Sequence, residues 1–156
     1  MDPTLAALAG TALGAAATAA VPLVTIRARR KDAATEQQRA DTVALLDAVT
    51  RWLKARGIND WNTVMHAHTE AIVALERLLI NSSAKDTPHL ETVTGFVFQA
   101  AGHEDNLDLV AASVEAMSHV LRRWCRGELR GKQIEEAYGP ALERQLDLHE
   151  SRNGRH

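Results

Sequence analysis

The feature that most limits how this chain can fold is a run of 22 residues without charge, 5–26. In a helix, at about 1.5 Å per residue, such a run is about 33 Å long and can cross the hydrocarbon core of a bilayer. Because Lys and Arg are retained on the cytoplasmic side, a basic flank at one end only indicates a fixed orientation. That flank consists of Arg27, Arg29, Arg30 and Lys31. The pattern predicts a single-pass cell-membrane protein with its N-terminus outside and its C-terminal domain in the cytoplasm.

The same run leaves two other interpretations open, because it is only weakly apolar: much of it is Ala, with Gly, Thr and Pro22 in between. A cleaved secretory signal would explain the small-x-small triplet 17–19, but a signal begins with basic residues and this chain begins with Met1-Asp2. An Ala-rich helix buried in a soluble bundle would also have this composition. The cations follow the apolar run, which favours the anchor.

Small residues recur every four positions along the predicted anchor, so they share one face of the helix. Such a face lets two helices approach closely, and close packing drives helix association in lipid. The face consists of Ala6, Gly10, Gly14 and Thr18, in which the two glycines form a GxxxG pair. The sequence predicts a homo-oligomer through the anchor, although an Ala-rich segment also produces such stripes by chance.

The remaining chain is acidic overall. The protein has 18 Lys and Arg and 20 Asp and Glu. Without the four flanking cations and Asp2, residues 32–156 carry 14 basic and 19 acidic side chains, a net charge of −5. A domain that follows nucleic-acid phosphates would be basic, so we expect no nucleic-acid partner. The single cysteine, Cys125, excludes an intramolecular disulfide and suits a reducing compartment.

Beyond residue 31 the hydrophobic pattern has the period of helices, and no segment alternates like a strand. We predict an all-α fold, with an N-terminal transmembrane helix and flank (1–31), an antiparallel bundle of about four to five helices (32–150) and a disordered tail (151–156). Capping residues, Pro and Gly mark the helix starts. The predicted starts are about residue 32, Asn59 or Asp60, Thr87, Asp105 and about Lys132, and a last helical stretch follows Gly139-Pro140.

Each predicted helix has one apolar face. The second helix is expected to bury the stripe Trp61, Val64, His68, Ile72, Leu75 and Leu79. This stripe places the His68 imidazole in the core, where both ring nitrogens need partners or the ring serves as a ligand or pH sensor. The fourth helix is expected to bury Leu107, Val110, Val114, Met117, Leu121 and Trp124.

No catalytic or metal-binding constellation stands out. Two His–Glu pairs, His66/Glu70 and Glu115/His119, fall on polar helix faces, where we expect solvated i,i+4 pairs. The segment 127–132 is one residue short of a phosphate-binding loop and follows a helix instead of a strand. We therefore expect no catalytic residue, no metal and no cofactor.

One basic patch is a candidate binding surface. It consists of Arg122, Arg123, Arg126, Arg130 and Lys132, interleaved with Trp124 and interrupted by Glu128. Held close to a membrane, such a patch can lie against anionic headgroups, at about 1 kcal/mol per residue. An acidic protein partner would suit it equally. A solvated helix end, in which the cations complement the C-terminal dipole, is the simplest alternative.

The layout of the chain resembles that of uncharacterised actinobacterial single-pass membrane proteins: a Met-Asp-Pro opening, a small-residue anchor, an Arg-rich flank and an Ala-rich helical remainder. The resemblance includes no specific motif, so it implies no activity and no site residue. The function predicted from the residues is a non-enzymatic, membrane-tethered helical protein-interaction module of unknown process and partner. Two alternatives stay open: a membrane-active oligomerising protein of the phage or toxin type, and a soluble bundle that binds a ligand or metal in its core.

Overall fold

The structure is a computed structural model that describes residue 29 and residues 32–56, 61–103 and 106–153. The chain divides into two units, Met1–Glu36 and Gln37–His156, and packing is described for the second unit only. The described residues form helices and no strand, which confirms the all-α class. The helices are α1 (32–56), α2 (Trp61–Ile80), α3 (Thr87–His103), α4 (Leu107–Cys125), α5 (Lys132–Glu136) and α6 (Tyr138–Asn153).

The predicted anchor with its small-residue face, residues 5–26, lies outside the described residues, as do Arg27, Arg30 and Lys31 of the flank. The fourth flanking cation, Arg29, is helical and exposed. None of the described helices is both long enough and apolar enough to cross a membrane. Membrane insertion and oligomerisation through the anchor therefore stay predictions.

The middle of α1, at Asp41 and Thr42, lies beside the ends of α2 and α4, and its later residues lie beside earlier parts of α4, so α1 runs antiparallel to α4. The Asn81 amide, just after α2, donates to Asp41 Oδ2 at 2.8 Å. The Cys125 sulfur, in the last turn of α4, lies 3.1 Å from the Thr42 hydroxyl oxygen. This end of the bundle therefore brings Asp41 and Thr42 of α1 close to the C-terminal cations of α4.

Continuous apolar faces on α1, α3 and α4 form much of the core. On α3, the apolar side chains that recur at helical spacing are fully buried: Leu90, Val93, Val97 and Ala101. Each such Leu or Val side chain contributes about 1.5–3 kcal/mol on burial. On α4, Met117, Leu121 and Trp124 are buried as predicted, but Leu107 is 73% exposed and that part of the prediction is wrong. Leu107 is the first residue of α4, where the helix extends past the core.

The face of α2 that packs on the bundle is only partly the predicted one: Val64, Leu75 and Leu79 pack against the core, but Trp61 and Ile72 do not. Its buried residues are Ala67, Ala71 and Leu78, whereas Trp61 is 74% exposed and Ile72 is 40% exposed. The small Ala side chains allow α1 and α2 to pack closely, since Ala71 and Ala67 belong to the same buried clusters as alanines of α1. Because α2 is apolar on more than one side, hydrophobic period alone could not identify the buried side.

Both ends of α4 are capped, the first by a side chain and the second by a main-chain hydrogen bond. Asn106 caps the start: its side-chain oxygen accepts hydrogen bonds from the N–H groups of Asp108 and Leu109. The cap predicted from sequence, Asp105, lies outside the described residues. At the other end Gly127 has φ +78°, and its N–H bonds to a carbonyl of the last turn. This left-handed glycine ends α4, as expected for a glycine that directly follows an apolar helical stripe.

The Gly139-Pro140 pair lies inside the first turn of α6, which begins at Tyr138. A proline in a first turn costs little, because the N–H groups there have no partner within the helix. Only Ala137 separates α5 from α6, so the last helix begins before this pair and not after it as predicted. α6 continues to Asn153, three residues into the segment predicted to be a disordered tail, and residues 154–156 lie outside the described residues.

Candidate functional site

Most cations of the predicted basic patch are paired with carboxylates. Glu128 accepts from two of them: Arg123 Nε at 3.1 Å and Arg126 Nε at 2.9 Å. The Lys132 ammonium lies 3.1 Å from a Glu136 carboxylate oxygen. All three pairs are at least partly solvated and each contributes about 0–1 kcal/mol. The patch is therefore a mixed-charge surface and not a uniform basic face.

Arg122 differs from its neighbours. It is exposed, and within the described part of the chain it has no carboxylate partner. Its neighbour across the helix seam is Arg39 of α1, a residue that the sequence did not single out because it lies 83 positions earlier in the chain. Only the antiparallel packing of α1 on α4 brings these two arginines to one groove.

Asp86 is the third carboxylate that pairs with the patch, and it is buried, with a side chain only 3% exposed. It accepts hydrogen bonds from the Gly131 N–H at 2.7 Å, from Trp124 Nε1 at 3.0 Å and from Arg130 Nη1 at 3.4 Å. Its backbone carbonyl also accepts the first main-chain bonds of α3, so Asp86 and not Thr87 occupies the cap position. One side chain thus joins the α2–α3 turn to the α4–α5 loop.

Burial raises the pKa of the Asp86 carboxyl, but the opposing contributions are larger in sum. The Gly131 N–H, the Trp124 indole, the Ser83 hydroxyl and the charge of Arg130 hold this pKa below its ordinary value of 3.8. The carboxylate is therefore charged at neutral pH. A sequence signal was available, since a buried Trp124 needs an acceptor for its N–H, but only the fold identifies Asp86 as that acceptor.

A groove of about 260 Å³ lies between α1 and α4, next to the basic patch. It is lined by Arg39, Thr42, Val43, Arg122, Cys125 and Arg126. Burial raises the pKa of the Cys125 thiol, against the hydrogen bond to Thr42 and the charges of Arg39 and Arg130. The thiol is therefore neutral at physiological pH.

A second candidate surface is an exposed apolar stripe on α2. Five large apolar side chains lie within about a third of the helix circumference. They are Trp61, Met65, Ile72, Val73 and Ile80, and the two at the ends of the helix are the most exposed, at 74% and 78%. Several exposed large apolar side chains on one side of a helix are typical of interaction sites. We call these five residues the α2 stripe.

His68 lies partly buried at the edge of the α2 stripe, and not in the middle of the core. Its ring centroid is 4.7 Å from that of Trp52 and 6.3 Å from that of Phe98. Aromatic packing therefore accounts for its position.

Of the two His–Glu pairs considered from sequence, the structure contains one, and the glutamate of the other has a different partner. His66 and Glu70 form an exposed pair at 3.6 Å, as predicted. Glu115 lies instead 3.5 Å from Nε2 of His149, a residue of α6 that sequence reasoning did not single out. No group of three or more His, Cys, Asp or Glu in the described part of the chain is placed to hold a metal ion.

Comparisons of this chain with protein-family models, with curated proteins and with solved structures find no significant match.

Proposed function

We propose that this chain is a non-enzymatic, membrane-tethered helical interaction module that self-associates through the α2 stripe. The observation that carries the proposal is the exposure of that stripe: α2 already buries one alanine-rich face against the bundle and still presents five large apolar side chains to solvent. Covering them removes apolar surface from water, at about 25 cal/mol per Å². The proposed location is the cell membrane, with the bundle in the cytoplasm.

The proposed partner is a second copy of this chain. The predicted small-residue face of residues 5–26 favours contact between anchors. Copies tethered side by side in one membrane have a high effective concentration, so a modest apolar contact between their bundles suffices for association. One charged residue, Glu76, lies on the same side of α2 as the stripe. Two copies whose α2 helices run parallel about a two-fold axis would bring two such acids together.

Membrane tethering is tested by alkaline carbonate extraction of membranes that contain the full-length chain. We expect the chain to stay in the pellet. The Ala15→Arg variant places a charge near the middle of the apolar run, which costs about 2.5–3.5 kcal/mol, and it should appear in the supernatant because the run is only weakly apolar. Release of the unmodified chain would contradict the anchor and favour a helix buried in protein.

Self-association is tested by cysteine crosslinking in the same membranes. At a two-fold contact a residue near the axis meets its own copy. In a Cys125→Ser background, we therefore expect Ile72→Cys to form a covalent dimer with a short bifunctional maleimide. Glu143→Cys, at an exposed position on α6, is the matched control and should stay monomeric.

Adding Glu76→Gln distinguishes a second copy from a different partner. If two copies meet at the α2 stripe, removal of the paired acids relieves repulsion and the yield of dimer should rise. Equal crosslinking at positions 72 and 143, or a lower yield with Glu76→Gln, would contradict self-association through this surface. Neither result would alter the carbonate experiment, so the two parts of the proposal fail separately.

A further inference from the structure

His149, near the end of α6, lies between two carboxylates of α4. Its Nδ1 is 3.8 Å from Asp108 Oδ1, and its Nε2 is 3.5 Å from Glu115 Oε2. The two acids are about two turns apart on α4, so they share the face of that helix that meets the ring. The His149 side chain is 15% exposed, whereas those of Asp108 and Glu115 are 57% and 47% exposed. The contact between α4 and α6 therefore holds an imidazole with one acid facing each ring nitrogen.

Only the protonated ring of His149 can satisfy both acids together. A neutral imidazole has one N–H donor and one acceptor nitrogen, whereas the imidazolium ion has an N–H on both nitrogens. In either neutral tautomer, one nitrogen therefore directs a lone pair toward a carboxylate. Nε2 is buried and has no hydrogen-bond partner among the residues that the structure describes, and burial without a partner is unfavourable. A proton on each nitrogen gives both of them an acid of opposite charge within ion-pair distance.

The remaining charged and titratable groups around the ring are exposed and lie on three helices. On α4, His119 is one turn beyond Glu115. From α1, Asp47 lines the same groove as Glu115. On α6 itself, Glu150 and Arg152 follow the ring, whereas α5 lies at the other end of α6. Arg152 is the one fixed positive charge among these described groups, so acids outnumber cations around the ring.

We propose that protonation of His149 strengthens the attachment of the C-terminal half of α6 to α4, which makes this contact a pH-sensitive clasp. The acids face the ring only when α6 is attached, so attachment favours the proton and the stabilisation falls as the pH rises. Histidine changes charge between about pH 5 and 8, so the attachment is tighter at the acid end of this range. Gln145 of α6 lines a groove of about 610 Å³ between α1, α4 and α6, and release of α6 would open that groove. The clasp depends neither on the anchor nor on the α2 stripe.

The test measures hydrogen exchange of the amides of residues 145–150 in the full-length chain, purified in a mild detergent. Exchange is followed by mass spectrometry at about pH 5.5 and about pH 8, and the intrinsic rate at each pH is divided by the measured rate to give a protection factor. We expect the protection of this segment to be at least about fivefold higher at the lower pH, and His149→Gln to abolish the difference. The amides of residues 93–101 of α3 are the internal reference.

Two further variants identify the groups responsible. Glu115→Gln keeps the ring and the shape of its neighbour but removes one acid, and should reduce the difference between the two pH values. His119→Gln removes the exposed histidine one turn from Glu115 and should leave the difference unchanged. Equal protection at the two pH values in the unmodified chain would overturn the proposal. So would a difference that persists in His149→Gln, is unchanged in Glu115→Gln or disappears in His119→Gln.

Discussion

Asp86→Ala should lower the free energy of unfolding by about 3–5 kcal/mol. The substitution leaves the Trp124 indole N–H and the Gly131 N–H buried without their acceptor, and it removes the partner of Arg130. Each unsatisfied buried donor costs about 1–3 kcal/mol. Urea unfolding followed by far-ultraviolet circular dichroism measures the change. Asp147→Asn, an exposed acid on α6, is the control and should change the free energy by less than about 0.5 kcal/mol.

The stabilisation that Asp86 contributes should depend on pH in one direction. Its pKa is lower in the folded chain than the ordinary value of 3.8, so the folded state holds the carboxylate charged more readily than the unfolded state does. The contribution is complete above the ordinary pKa and is lost as the pH falls through the folded pKa. The difference in stability between the unmodified chain and Asp86→Asn should therefore be constant near neutral pH and shrink below about pH 4. A difference that grows on acidification would contradict the charged, hydrogen-bonded Asp86.

Trp124→Ala should cost about 3–5 kcal/mol, whereas Trp61→Ala should change stability by less than about 0.5 kcal/mol. Trp124 is fully buried and hydrogen-bonded to Asp86, so its removal leaves a cavity and an acceptor without its donor. Trp61 is 74% exposed, and its removal takes little away from the folded monomer. The same urea experiment measures the free energy of unfolding of both variants. Both carry the same Trp→Ala change, so only the position differs.

Trp61→Ala also tests the proposed self-association through the α2 stripe. In the crosslinking experiment it should reduce the dimer yield of Ile72→Cys, because it removes the largest side chain of the α2 stripe. A destabilised Trp61→Ala variant would mean that Trp61 belongs to the core and not to an interaction surface. A stable variant with unchanged crosslinking would remove this residue from the contact.

Sequence reasoning succeeded on α3, where the apolar positions Leu90, Val93, Val97 and Ala101 recur at helical spacing and are all fully buried. The same helix also carries Phe96 on another side, where it is 53% exposed. On α2 two sides are apolar, and the choice between them depends on which surface α1 offers. Since α1 offers alanines, the small residues Ala67 and Ala71 turn inward and Trp61 remains outside.

Local patterns in this chain were enough to determine the helical class, the approximate helix bounds and the glycine that ends α4. They also determined that Arg122 and Arg126 share one face. Each of these features depends on residues within a turn or two of one another. Two features depend on packing between distant segments: the bond between Asp86 and Trp124, 38 positions apart, and the groove that Arg39 forms with Arg122. Side-chain period shows which face of a helix is apolar but does not show which other helix will cover it. The packing of α1 against α2 and α4 decided which helix faces are covered. It thereby left the α2 stripe exposed and formed the groove between α1 and α4.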